Sequence, residues 1–178
     1  MMRKDDVILV DSDNNVVGIM DKMEAHKKGL LHRAISVFIV DSGGRWLLQK
    51  RASDKYHSSS LWTKTCCSHP FPSESNSDAA NRRLSEEMGI RCSLRELFHF
   101  SYKEALDNDL TEHEIDHVFF GICDDAPSIN HNEVMDYKYI TYTDLQEDIA
   151  SNPQNYTVWF KMIVERVQNQ KEQLNTFK

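Results

Sequence analysis

A chain of 178 residues, 40% hydrophobic and 28% charged, has the length of one domain and the composition of a soluble globular protein with a proper core. Its net charge of −7 excludes a broad basic surface, so neither nucleic acid nor a membrane is an expected partner, and an anionic substrate must be drawn by a local cluster of cations or metal. The opening MMRKDDVILVDSDNN has only a short apolar run, too short for a signal peptide or a span, so the expectation is a cytoplasmic protein whose thiols Cys66, Cys67, Cys92 and Cys123 stay reduced.

Without an internal repeat, linker or low-complexity tract, residues 1–178 read as one domain, with a core over about 7–160. In chain order, Ile8-Leu9-Val10 and Val16-Val17-Gly18-Ile19 flank Asp13-Asn14-Asn15 and predict a hairpin. Asp21 to Lys28 predicts a short helix stopped by Gly29. AISVFIV and RWLLQKR read as strands joined by Ser42-Gly43-Gly44, a turn that tolerates positive φ. Asn76 to Met88 predicts a helix, with Ser75 as cap, Asp78 as the capping-box acid and Gly89 as the stop. Strands follow at Leu97 to Tyr102, Glu112 to Ile122 and Met135 to Thr141, then helices at Thr143 to Ala150 and Asn155 to Glu172. The expected fold is an α/β (α+β) mixed-sheet sandwich flanked by helices, because the alternation is too strand-rich for a doubly wound parallel sheet.

Chemistry concentrates in a few stretches. TCCSHP puts Cys66 and Cys67 beside His69, an arrangement that suits a buried apolar pair, half of a metal site, or a nucleophile with an inert neighbour. In RRLSEEMGI, Arg82 and Arg83 stand one helical turn from Glu86 and Glu87, which by itself is the pattern of a solvated salt-bridged face. The wider spacing from Ser68 through Glu74 resembles the Nudix box. Glu74, Arg82, Leu84, Glu86, Glu87, Gly89 and Ile90 match it, while Ser68 replaces its first Gly and Arg83 its first helix Glu. In that family the helix carboxylates hold Mg²⁺ against a diphosphate. Arg83 in place of a carboxylate subtracts a metal ligand and adds a cation, which weakens hydrolysis and favours diphosphate binding; Lys22, Arg51 and Lys55 are further candidates around the phosphates.

EAHKKGLLHRA brings His26 and His32 to the two sides of Gly29, a spacing that must converge across a turn to form a site. In LTEHEIDHVFF, Glu112 and Glu114 point to one face of a strand, and His113 and His117 to the other. Three histidines, His26, His32 and His69, with two glutamates, Glu112 and Glu114, make a site for Zn²⁺, Mn²⁺ or Mg²⁺, and the mixed O/N set does not choose among them.

Taken together, EAHKKGLLHRAISVFIV, LWTKTCCSHP, ESNSDAANRRLSEEMGI and TEHEIDHVFFG resemble the type I isopentenyl-diphosphate isomerases of the Nudix superfamily, over about Val7 to Trp159. The resemblance implies interconversion of isopentenyl and dimethylallyl diphosphate, with Cys67 and Glu114 as the catalytic pair and Tyr102 assisting. It implies a divalent metal on His26, His32, His69, Glu112 and Glu114, and a Mg²⁺ held with the diphosphate through Glu87. Lys22, Arg51, Lys55, Arg83 and Ser68 fall at substrate-binding positions, and Trp62 and Trp159 at pocket tryptophans. The implied partner is a small allylic or homoallylic diphosphate, bound by a monomer or homodimer. HSSSLW lacks the Pro-Gly that often precedes this Trp, and Lys64 stands where Asn is common. On this reading Cys67 is the working thiol, and Cys66, turned to the other side of a strand, is a buried filler. The rivals are a Nudix hydrolase of a diphosphate, separated by phosphate release, and a non-catalytic metal- and diphosphate-binding module, separated by isomer interconversion.

Overall fold

The computed structural model describes residues 5–55 and 57–175. The first hairpin forms as expected: β1 (Asp6–Val10) pairs antiparallel with β2 (Val16–Asp21), with Asn14 in the left-handed region at φ 65°. Asp21 then caps α1 (Lys22–Lys28) by accepting from the Glu24 N–H, and Gly29 ends it at φ 61°. β3 (His32–Val40), β4 (Trp46–Arg51), β5 (Trp62–Thr63) and β6 (Cys66–Ser68) follow, then α2 (Asn76–Met88), β7 (Arg95–Ala105), β8 (Thr111–Ile122), β9 (Val134–Ile140), α3 (Tyr142–Ser151) and α4 (Val158–Asn175).

Among the described residues, the nine strands share one hydrogen-bonded sheet. β3 lies at its centre, parallel to β8 and antiparallel to β1, β4 and β6, so the sheet is mixed, in line with the α+β expectation. Alternation along β3 sends Ile35, Val37 and Ile39 to one face, where they pack on Ala79, Ala80, Leu84 and Met88 of α2. Phe38 and Val40 go to the other face and meet Val118 and Phe120 of β8 and Phe160, Ile163 and Val167 of α4. Each such apolar side chain taken fully out of water contributes about 1.5–3 kcal/mol, which fixes the register of β3 against slippage.

α2 keeps the boundaries its caps specify. Ser75 accepts from the Asp78 N–H, and the Asp78 carboxylate bonds the Ser75 hydroxyl. Gly89 sits at φ 68°, and a Cβ there would come within 2.6 Å of the Ser128 carbonyl, so only glycine fits this stop.

The last helix departs from the expected Asn155 start. Pro153–Asn155 is a single 3₁₀ turn, Tyr156 is extended (φ −121°, ψ 144°), and α4 begins at Val158. The cause is long-range. Tyr156 bridges to Trp62, the Thr157 N–H donates to the Trp62 carbonyl at 3.0 Å, and the Thr63 and Thr157 hydroxyls meet at 2.9 Å. Among the described helices, none is long and apolar enough to cross a membrane.

Candidate active site

The site is built by strand register. β8 runs between β3 and β7, and Glu114 sits opposite His32 on one side and Tyr102 on the other. Residues directly opposite each other point to the same face. His32, Glu112, Glu114 and Tyr102 therefore converge. His113 and His117 turn to the opposite face, where His113 Nδ1 meets the Gly29 carbonyl at 2.9 Å and His117 Nδ1 meets Glu96 at 2.6 Å. β6 aligns Cys67 with Ser36 and Cys66 with Val37. The two thiols are thereby separated. Cys67 lines a cavity of about 360 Å³, while Cys66 is fully buried in the core against α2.

Beside this cavity, which His69 and Glu114 line, the ligand atoms of His26, His32, His69 and Glu114 all lie within 4.8 Å of one another. Backbone carbonyls orient two of the imidazoles: His26 Nδ1 meets Lys22 O at 2.7 Å and His32 Nδ1 meets Leu30 O at 2.8 Å, so Nε2 of each ring faces the cluster. This is how proteins hold metal-ligating histidines in one tautomer. His69 Nε2 lies 2.9 Å from Glu114 Oε1, and the Tyr102 hydroxyl donates to Glu114 Oε2 at 2.7 Å.

Burial lowers the His26 imidazole and brings His69 down to about 3, which favours the neutral form that binds metal. Burial alone would raise Glu114, but the close approach of the His32 and His69 imidazoles outweighs it and holds this carboxyl well below its usual range. Burial and the Glu114 charge push Glu112 the other way, and burial and the same charge push up the Tyr102 phenol. Among the described residues, His32 Nε2 and Glu112 Oε2 are buried without a hydrogen-bond partner. Orphaned polar atoms aimed into a cluster of imidazoles and carboxyl groups supply the N and O ligands a divalent cation requires, so the residues fit a metal.

The cavity also gathers cations, in a chain whose net charge is −7. Lys22, Arg51, Lys55 and Arg83 all line it, as does Ser68. Burial, and then the charge of Lys55, lowers the Lys22 ammonium. Lys55 pairs with Glu133, and Arg83 bonds Glu86 at 2.8 Å and Glu87 at 2.6 Å. The Arg51 guanidinium stands 5.5 Å from the centre of the Trp159 ring, which also borders the cavity. Buried Glu87 accepts two bonds from Arg83 on Oε1 and one from Gln49 on Oε2 at 2.8 Å. A carboxylate offers about four acceptor positions, so Oε2 retains capacity for a cation. Glu74, the first acid of the box, faces away from this chemistry. It forms a two-pronged ion pair with Arg82, 2.7 Å on each arm, that ties the loop to α2.

Trp62 is not brought to the cavity. From β5 its ring packs against the α4-side core, with the Lys138 ammonium 4.5 Å from its centre. Three other residues escape the sequence reading. Lys64 is buried at the cavity wall, 3.5 Å from Asp116, which also accepts from Ser36 at 2.5 Å and which burial pushes up to about 6. The alternation that selected Glu112 and Glu114 reaches Asp116 one step further along β8. His57 is buried and approaches Glu112 at 3.3 Å, and burial followed by the Arg51 charge brings it down to about 3. No periodicity marks His57, because it lies in the loop between β4 and β5.

The protein-family model described as NUDIX domain matches residues 30–160. Isopentenyl-diphosphate Delta-isomerase 2 of Aromatoleum aromaticum is 49% identical over 164 residues, covering 92% of this chain and 87% of that protein. Isopentenyl-diphosphate Delta-isomerase of Pectobacterium atrosepticum is 48% identical over 162 residues, covering 91% of this chain and 90% of its own. The chain belongs to the type I isopentenyl-diphosphate Delta-isomerase family. Among solved structures, DR0079 from Deinococcus radiodurans matches with a TM-score of 0.74 at 19% identity, over 90% of this chain and 98% of that one, which establishes the shared Nudix fold alone. For an isomerase-family member, the Arg83 substitution in the Nudix box has a clear physical effect: it places a guanidinium against Glu86 and Glu87 where the general box carries a further acid.

Proposed function

We propose that this cavity interconverts isopentenyl diphosphate and dimethylallyl diphosphate, with Cys67 and Glu114 exchanging the two protons and Tyr102 orienting the carboxyl. The observation that carries the reading is that a thiol and a carboxylate from different strands line one cavity together with the cations Lys22, Arg51, Lys55 and Arg83. The reaction requires this division. An alkene is a very weak base, so its protonation needs an acid held against one carbon in a dry site while a second group takes a proton from the neighbouring position. One transfer makes a methyl group and leaves tertiary carbocation character; the other restores the double bond one position along.

Trp159 offers its π face to the developing cation, a contribution of about 0.5–2 kcal/mol that also excludes water. Lys22, Arg51, Lys55 and Arg83 hold the diphosphate, so binding of the unreactive tail positions the alkene. A divalent ion on His26, His32, His69, Glu112 and Glu114, whether Mg²⁺, Mn²⁺ or Zn²⁺, would supply a fixed charge that orders Glu114 and tunes its acidity. Glu87 would share in holding a Mg²⁺ that accompanies the diphosphate.

The test is direct: purified protein with Mg²⁺ and isopentenyl diphosphate should form dimethylallyl diphosphate and release no phosphate. Phosphate release without isomer would instead assign a hydrolase. Glu87→Gln should separate the two ends of the cavity. It touches the diphosphate end, so KM at limiting Mg²⁺ should rise by about 10-fold or more, the worth of one charge-assisted contact, with kcat at saturation little changed. An unaltered Mg²⁺ dependence would remove Glu87 from the site.

A further inference from the structure

Building on the reading of the His/Glu cluster as a metal site, we infer that His57 is a positioning residue for Glu112, fixing which carboxylate oxygen faces the metal. Glu112 is held between two imidazoles. Its Oε1 lies 3.3 Å from His57 Nε2, and its Oε2 lies 3.4 Å from His26 Nε2 on the cluster side. Oε2 is the oxygen that makes no hydrogen bond among the described residues. A contact to Oε1 that leaves Oε2 directed at the ligands is the arrangement by which outer groups orient a metal-binding carboxylate.

His57 is itself fixed in place. Arg51 reaches across from β4 and donates from Nε to the Ser58 carbonyl at 3.1 Å and from Nη2 to the His57 carbonyl at 3.2 Å. Ser58 and Ser60 adopt φ of 48° and 59°, a conformation non-glycine residues adopt only under tertiary restraint, and this loop carries His57 inward to 5% exposure. The Trp159 ring meets the imidazole nearly edge-on, at 82° and 5.5 Å between centres. One guanidinium and one indole of the substrate cavity thus hold the side chain that braces a ligand of the metal cluster.

Direct ligation by His57 is the competing geometry, and the variants separate the two. The ligand atoms of His26, His32, His69 and Glu114 share a 4.8 Å neighbourhood, whereas His57 groups at that range with His26 and Glu112.

The experiment is a titration of the full-length protein with Mn²⁺ alone, without substrate, read by electron paramagnetic resonance of the free ion. Wild type, His69→Ala, His57→Phe and His57→Gln are compared, with thermal melts to confirm folding. The glutamine amide nitrogen reaches the position of the imidazole Nε2 and retains a donor. His57→Phe should weaken Mn²⁺ binding by about 10–100-fold, the range for loss of an outer-shell partner, while His57→Gln stays close to wild type. Should His57→Phe fail to fold, His57→Asn, whose amide is too short to reach Glu112, takes its place with the same expectation. Wild-type affinity in the variant lacking the donor would overturn the inference. So would equal losses in both variants with one fewer nitrogen coupled to bound Mn²⁺, which would make His57 a ligand. If His69→Ala binds Mn²⁺ as wild type does, the metal reading itself fails, and that result is distinct from a failure confined to His57.

Discussion

Cys67→Ala is expected to lower kcat for isopentenyl diphosphate by about 10²–10⁴-fold, the range a positioned acid or base contributes, while Cys66→Ala keeps most of the activity. The two side chains differ in nothing but the face they occupy. Cys67 pairs with Ser36 in the β6/β3 register and lines the cavity; Cys66 pairs with Val37 and packs against Ala79, Ala80 and Leu84. Burial pushes both thiols up, although the charges of Lys64 and Arg51 pull Cys67 back toward its ordinary range. Removing the Cys66 sulfur leaves a small void instead, a cost of about 1 kcal/mol that appears as a lower melting temperature and not as lost turnover. Equal losses in the two variants, or the reverse order, would contradict the assignment.

Glu114→Gln should fail in two ways at once. As one of the proton-exchanging pair, its loss should reduce turnover by about 10²–10⁴-fold, and as a ligand it should weaken metal binding as well. An amide keeps the shape but loses the charge and one ligand oxygen, so it can replace the carboxylate neither as metal ligand nor as proton carrier. Glu114 Oε1 faces His69 at 2.9 Å and His32 at 3.5 Å, and Oε2 accepts from the Tyr102 hydroxyl at 2.7 Å. Metal content measured on the purified variant, alongside kcat, checks both losses. A Glu114→Gln protein that binds metal as wild type does would remove Glu114 from the ligand set.

What was legible in the chain follows the range of the forces involved. α2 could be bounded to the residue because Ser75 and Gly89 act within one turn of it. Glu112, Glu114 and the turning-away of His113 and His117 followed from the two-residue period of a strand. The convergence of His26 and His32 was indicated by Gly29, but the spacing alone could not supply the β3/β8 register that sets His32 beside Glu114.

Other features depend on pairings between distant segments. The start of α4 moved to Val158 because Tyr156 and Thr157 are engaged by Trp62 and Thr63, nearly a hundred positions earlier in the chain, and no local propensity encodes that. Trp62 is drawn out of the cavity by its place in β5 and its packing beside Lys138. His57 enters through a loop whose shape is set by Arg51, and Lys64 finds Asp116 across the sheet; each is an ordinary polar residue until the fold buries it.

The most direct measurement is to run the reaction in D₂O with Mg²⁺ and follow the carbon skeleton by NMR. Protons delivered by a thiol or a carboxyl exchange with solvent, and the proton removed goes to a different group from the one that delivers. Dimethylallyl diphosphate formed from isopentenyl diphosphate should therefore carry deuterium on the methyl group derived from the terminal alkene carbon. Unlabelled product would mean a direct hydrogen shift within the substrate, and the roles given to Cys67 and Glu114 would be wrong.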